Sequence, residues 1–143
     1  MLVTVTWSEV QGDDDPQWTN NCGLYAYLTP DWQEILYIGK VDGCTVRRRW
    51  NAPDKTAFWR DLERKRQIFE HILIFGEIEL DVTDVFTPRL TRQKIADIES
   101  LLIHEVQPWG NVAAKSSRIS RTGMIVTCAG TWPLEERIYL DFG

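Results

Sequence analysis

The stretch Cys22-Gly23-Leu24-Tyr25-Ala26-Tyr27-Leu28-Thr29-Pro30-Asp31-Trp32-Gln33-Glu34-Ile35-Leu36-Tyr37-Ile38-Gly39 decides how this chain folds. Cys22 to Leu28 alternates with the period of a strand, and Glu34 to Ile38 does so again. Thr29-Pro30-Asp31 supplies turn chemistry between them, so the pair predicts an antiparallel hairpin. The hairpin carries two matched tripeptides, Gly23-Leu24-Tyr25 and Tyr37-Ile38-Gly39, with eleven residues between the two tyrosines. Successive strand residues face opposite sides, so Leu24 can enter a core while Tyr25 faces the other surface. The flanking glycines leave bare backbone that a large ligand can approach. A phenol donates to a phosphate oxygen or, when perturbed, accepts a proton from water. Taken singly, a strand tyrosine is also an ordinary half-buried sheet residue.

Outward from the hairpin, Leu2 to Trp7 reads as a strand, and the polar, acidic run from Gln11 to Asn21 as a loop or mobile arm. Thr45 can cap a short helix starting near Val46, which Pro53 ends. Thr56 reads as the next N-cap, opening a helix over 57–66 with Phe58, Leu62 and Trp59 inward. Residues 68–80 read as a strand, or as a hairpin turning at Gly76. Thr91 to Val106 is the strongest helix: Ile95, Ile98, Leu102 and Val106 recur at three- and four-residue steps, and Gln107-Pro108 ends the run. Gly123 to Thr127 and Arg137 to Leu140 look like late strands, with a loop from Ala129 to Leu134. The order predicts an α+β fold, helices layered on a mostly antiparallel sheet.

With 143 residues, 43% hydrophobic and 26% charged, the chain suits one globular domain. No apolar run approaches the roughly 20 residues needed to span a bilayer. Met1 to Val5 lacks the pattern of a secretion signal. Cys22, Cys44 and Cys128 have no metal-like spacing and are expected to be reduced thiols of a cytoplasmic protein. The net charge of -5 speaks against a generic nucleic-acid binder. Its distribution is uneven: residues 1–39 hold six acids and no Lys or Arg, whereas 40–66 hold nine basic residues against four acids. Because screening limits each charge to a reach of about 8–10 Å, that local surplus can still attract phosphates.

Arg47, Arg48 and Arg49 form the densest part of it. Arginine contacts phosphate through two parallel hydrogen bonds and stays charged. Consecutive helical residues point about 100° apart, so only one can aim into a given site. Arg49, three residues after Val46, lies nearest the buried face; Arg47 and Arg48 are expected to meet solvent or a DNA backbone. Glu99 shares an apolar helical face with Ile95, Leu102 and Ile103. A carboxylate there costs several kcal/mol unless it is paired or binds a cation. A salt bridge to an arginine and a Mg²⁺ ion are both open, since Mg²⁺ takes one or two carboxylates and keeps its waters. Asn111, beyond Pro108, can hold its loop or hydrogen-bond a metal site.

Together these positions resemble the GIY-YIG nuclease superfamily. The match comprises Gly23-Leu24-Tyr25, Tyr37-Ile38-Gly39-Lys40, a downstream arginine, Ile98-Glu99-Ser100-Leu101-Leu102-Ile103, and Gln107-Pro108-Trp109-Gly110-Asn111-Val112. The twelve-residue step from Glu99 to Asn111 is similar to that in bacterial nucleotide-excision nucleases. The resemblance implies a small sandwich with a central antiparallel sheet flanked by helices. Its core would cover about 22–112, preceded by an arm over 1–21 and followed by an extension with extra strands over 113–143. It also implies a single-metal phosphodiesterase. Glu99 would hold Mg²⁺ or Mn²⁺, and Arg49 would stabilise the scissile phosphate. Tyr25 would act as base or orient the water, with Tyr37 assisting. Lys40, Arg47, Arg48 and Asn111 would bind substrate, with Asn111 also supporting the site. The histidine that many members carry four residues beyond the arginine is Pro53 here if Arg49 is the match, or Asn51 if Arg47 is.

The leading expectation is therefore a metal-dependent endonuclease acting on DNA, with RNA open as a substrate and a homodimer open as its state. The alternative is a catalytically inactive module of the same fold that binds nucleic acid or protein. Seven tryptophans, Trp18, Trp32, Trp109 and Trp132 among them, could serve an interface or stack on bases. The basic run 113–121 could contact backbone phosphates.

Overall fold

A computed structural model describes residues 1–81, 89–111 and 123–141. Among them the strands are β1 (Leu2–Glu9), β2 (Cys22–Leu28), β3 (Ile35–Asp42), β4 (Ile72–Leu80), β5 (Met124–Gly130) and β6 (Ile138–Asp141). The helices are α1 (Val46–Trp50), α2 (Asp54–Arg66) and α3 (Arg92–Val106), with a 3-10 turn at Pro16–Thr19. The strands form one sheet in the order β3-β2-β4-β1-β5-β6. The protein is thus α+β, as its element order predicts.

Alternation along the strands separates two apolar layers. Leu24, Ala26 and Leu28 of β2 join Ile98, Leu101 and Leu102 of α3 on one face. Tyr25 and Tyr27 join Val46 of α1 and Leu62 of α2 on the other. The hairpin forms as expected, pairing Tyr25 with Gly39 and Tyr27 with Tyr37. Thr45 caps α1 by accepting the Arg48 N–H at 3.2 Å, and Thr91 caps α3 by accepting from Lys94 at 3.2 Å.

The sheet is mostly antiparallel, as expected, with one parallel pair, β1 with β5. Three expectations need correction. β4 is continuous and does not turn at Gly76, where a side chain would collide with Val5 Cγ1 and the Trp7 ring of β1. α2 begins at Asp54, placing Thr56 inside the helix instead of at its cap. The acidic segment after β1 is docked: Trp18 is buried, its indole donates to the Gly12 carbonyl at 2.7 Å, and the Arg47 guanidinium lies 4.7 Å above its ring.

The C-terminal strands belong to the same core. Trp132 is 2% exposed, packs 5.1 Å from the Trp7 ring and donates to Tyr139 Oη at 3.2 Å. The run 113–121 lies outside the described residues. No described helix is long and apolar enough to cross a membrane. Trp132→Ala is predicted to lower unfolding stability by about 3–5 kcal/mol. Denaturant titration checks this, and a wild-type midpoint would show that β5 and β6 are an accessory to the core.

Candidate active site

The site is built on the outer strand of the sheet. β3 has β2 on one side; on the other, the loop after α3 covers part of its edge. Asn111 Oδ1 accepts the Ile38 N–H at 2.9 Å and Asn111 Nδ2 donates to the Ile38 carbonyl at 2.8 Å. One residue earlier, the Gly110 N–H donates to the Leu36 carbonyl at 2.7 Å. Asn111 therefore holds the loop, one of the two roles the sequence leaves open. Both ends of its buried amide are committed to Ile38, so it supports β3 instead of contacting a substrate.

Next along β3, Gly39 makes room for Tyr25. A Cβ at position 39 would fall on Tyr25 Cζ and Oη, so the ring occupies the space of the missing side chain. Tyr25 is 1% exposed, and its ring centroid lies 5.9 Å from that of Tyr37. Tyr37 also stacks on Tyr27 at 5.7 Å and is only partly buried. Burial, reinforced by Tyr37 and Tyr27, pushes the Tyr25 phenol far above its ordinary range, against the opposing pull of Arg49. Tyr25 is a neutral hydrogen-bonding hydroxyl at any working pH. Of the two roles expected for it, taking a proton from water needs a phenolate that this environment disfavours.

Arg49 reaches this hydroxyl from α1. The Tyr25 hydroxyl and the Arg49 guanidinium interact, although by strict geometry neither buried Tyr25 Oη nor Arg49 Nε completes a hydrogen bond. Arg49 also borders two open clefts. One, of about 110 Å³, is lined by Lys40, Asp42, Cys44 and Arg49. The other, of about 300 Å³, is lined by Cys44, Arg48, Arg49, Asn51, Ala52 and Pro53. Arg49 is half-buried, the burial its helical phase predicts. Arg48 is exposed beside it. Arg47 instead donates to the Asp13 carbonyl at 2.7 Å and covers Trp18, which ties it to the N-terminal arm.

Glu99 comes from α3, on the opposite face of the sheet, and meets β3 at Lys40. It accepts a backbone hydrogen bond from Lys40. Burial holds its carboxyl above the usual carboxylate range, while the charges of Lys40, Arg49 and Lys55 pull the other way. The three cations offset part of the cost that desolvation imposes on the ionised acid. Its hard oxygen ligands suit an ion held by one carboxylate and otherwise by waters and substrate oxygens. Among the described residues no group of three or more His, Cys, Asp or Glu side chains stands together, so a multi-ligand cage of the structural zinc kind has no donor set here. Asp42, which lines the smaller cleft, pairs with Arg92 at 3.2 Å.

Two buried charged residues, one of them in this neighbourhood, escape the sequence reading. Lys55 is 3% exposed, and its ammonium lies 4.3 Å from the Tyr37 ring centroid and 5.5 Å from that of Tyr25. The signal was present: Lys55, Phe58, Trp59 and Leu62 follow one another at helical spacing on the inward face of α2. Asp97 is buried on α3 and accepts from Gln93 Nε2 at 2.9 Å. Of the two histidines, His71 packs flat on Trp59 at 4.0 Å, and burial lowers its pKa to about 4. Cys22, Cys44 and Cys128 are free thiols. Trp18 and Trp132 are core residues, so neither offers an exposed ring to a partner or a base.

The raised carboxyl of Glu99 has a stability consequence. Folding favours its protonated form, so the stabilisation present below the unfolded value of 4.5 is lost as pH rises through the folded value. In metal-free buffer, Glu99→Gln is expected to melt at a higher temperature than wild type near about pH 8 and at nearly the same temperature near about pH 4. A lower melting temperature at alkaline pH would mean that the three cations stabilise the charge more than burial penalises it. No protein-family model, curated protein or solved structure matches this chain.

Proposed function

We propose that this protein is a divalent-metal-dependent endonuclease that hydrolyses phosphodiester bonds in DNA. The observation that carries the reading is that buried Glu99 accepts the Lys40 backbone N–H and feels the charges of Lys40 and Arg49, while Arg49 acts in turn on Tyr25, whose ring lies 5.9 Å from that of Tyr37. These residues come from α3, β3, α1 and β2. A guanidinium that lines two open clefts and a lysine beside it suit the non-bridging oxygens of a phosphodiester. A lone desolvated carboxylate suits a hard cation.

Glu99 would hold Mg²⁺ or Mn²⁺, whose Lewis acidity at that position neutralises charge on the phosphate and on the departing oxygen. Arg49 pairs with the non-bridging oxygens as charge accumulates on them. Lys40 adds a second positive charge at the same cleft. Tyr37, the more accessible phenol, orients the attacking water, and the neutral hydroxyl of Tyr25 fixes Arg49. Water adds to phosphorus as the P–O3′ bond breaks, leaving a 5′-phosphate and a 3′-hydroxyl. Arg48 extends the basic surface along the strand.

Purified protein with Mg²⁺ or Mn²⁺ is expected to nick or cut at least one member of a panel of duplex, flap, branched and single-stranded DNAs. Glu99→Ala and Arg49→Ala are each expected to lower the rate by about 10²-fold or more. Gel electrophoresis of end-labelled substrate reads both results. Undiminished cleavage by both variants would remove the site, whereas DNA binding without cutting under either metal would select the inactive binding module.

A further inference from the structure

Lys55 sits where physical chemistry disfavours an ammonium twice. It is buried to 3% exposure, and it occupies the first turn of α2, whose N-terminus carries a positive partial charge. A methionine of nearly the same length would fill this position without either cost. Among its neighbours the ammonium faces two rings: 4.3 Å to the Tyr37 centroid and 5.5 Å to Tyr25. Both distances lie within the roughly 6 Å over which a cation is attracted to an aromatic quadrupole. Its charge also acts on Glu99.

Arg49 acts on the same three groups from α1. The phenol pair and the carboxylate are thus tied together by two cations with different exposures. Arg49 opens onto the clefts and is placed to meet substrate, whereas Lys55 is enclosed and is not.

We infer that Lys55 is a positioning residue of this site, whose buried ammonium fixes the rings of Tyr37 and Tyr25 relative to the Glu99 carboxylate. The inference rests on the nuclease reading for its effect on cleavage, but the ring geometry is a property of the protein alone. Because the ammonium does not reach solvent, Lys55 contributes to the rate and not to DNA affinity. A displaced positioning group typically costs about 10²-fold in rate when reacting groups shift by an ångström.

The test uses the full chain with Lys55→Met, which keeps length and removes charge, and Lys55→Arg, which keeps charge. Thermal melting establishes that each variant is folded. In metal-free protein, the NMR ring signals of Tyr25 and Tyr37 are compared, with Tyr37→Phe supplying the assignment. With Mg²⁺, kcat and KM for DNA cleavage are measured. Lys55→Met is expected to move both ring signals and to lower kcat about 10- to 100-fold with KM changed less than about twofold, while Lys55→Arg recovers part of the rate. Unmoved ring signals in folded Lys55→Met overturn the inference whether or not the protein cuts DNA. A rise in KM with kcat intact also overturns it, since that marks a substrate contact. If wild type cuts no substrate, the nuclease reading fails, and ring signals that move in Lys55→Met but hold in Lys55→Arg still support the positioning role.

Discussion

The missing side chain at Gly39 is the constraint on which the site depends. The Tyr25 ring lies in the space a Cβ would need, directly over the backbone of the outer strand. That placement brings the Tyr25 hydroxyl to Arg49 and sets Tyr37 beside it. The next residue, Lys40, turns its backbone N–H to Glu99 and its side chain to the cleft. A larger residue at 39 would displace the phenol, and with it the contact through which α1 communicates with the hairpin. The edge of β3 away from β2 is held by Asn111, whose amide pairs with both backbone groups of Ile38 as a neighbouring strand would. The outer strand is thus fixed from both sides, which rigid presentation of reacting groups requires.

Electrostatics then gives the site its character. Four elements deliver one acid, one guanidinium and two ammonium groups to a region partly shielded from water. Burial keeps Tyr25 neutral and raises the acid, so ionised Glu99 is held at a cost it would not meet in solvent. Strain of this kind concentrates at functional positions and is compensated by packing elsewhere. Here the compensation is visible in the apolar layer under α3 and in the Trp7–Trp132 contact that joins the C-terminal strands to the core.

Much of this was legible in the sequence, and for local reasons. Period-two alternation located the hairpin, and with it Tyr25, Tyr37 and both glycines. Helical phase singled out Arg49 among three consecutive arginines, and an acid on an apolar stripe singled out Glu99. What was not legible depends on contacts distant in sequence. The parallel pairing of β1 with β5 joins segments separated by most of the chain and leaves no local signal. The docking of the acidic arm depends on Arg47 reaching Trp18, which composition alone presents as a polar loop. Gly76 resembles a turn residue until Val5 and Trp7 from β1 are placed against it. Lys55 was hidden by habit: lysine early in a helix is usually solvated, and its inward phase with Phe58 and Leu62 carried the contrary signal.

The central claim is that Glu99 offers a single divalent ion a place at the Gly39–Lys40 edge, beside Arg49 and the phenol pair. Paramagnetic broadening tests it most directly, by adding substoichiometric Mn²⁺ to the isotope-labelled protein and recording the amide spectrum. The account predicts that the Gly39, Lys40 and Glu99 signals broaden first, that Mg²⁺ competes, and that Glu99→Gln abolishes the effect. Broadening centred elsewhere, or unchanged in Glu99→Gln, would contradict it.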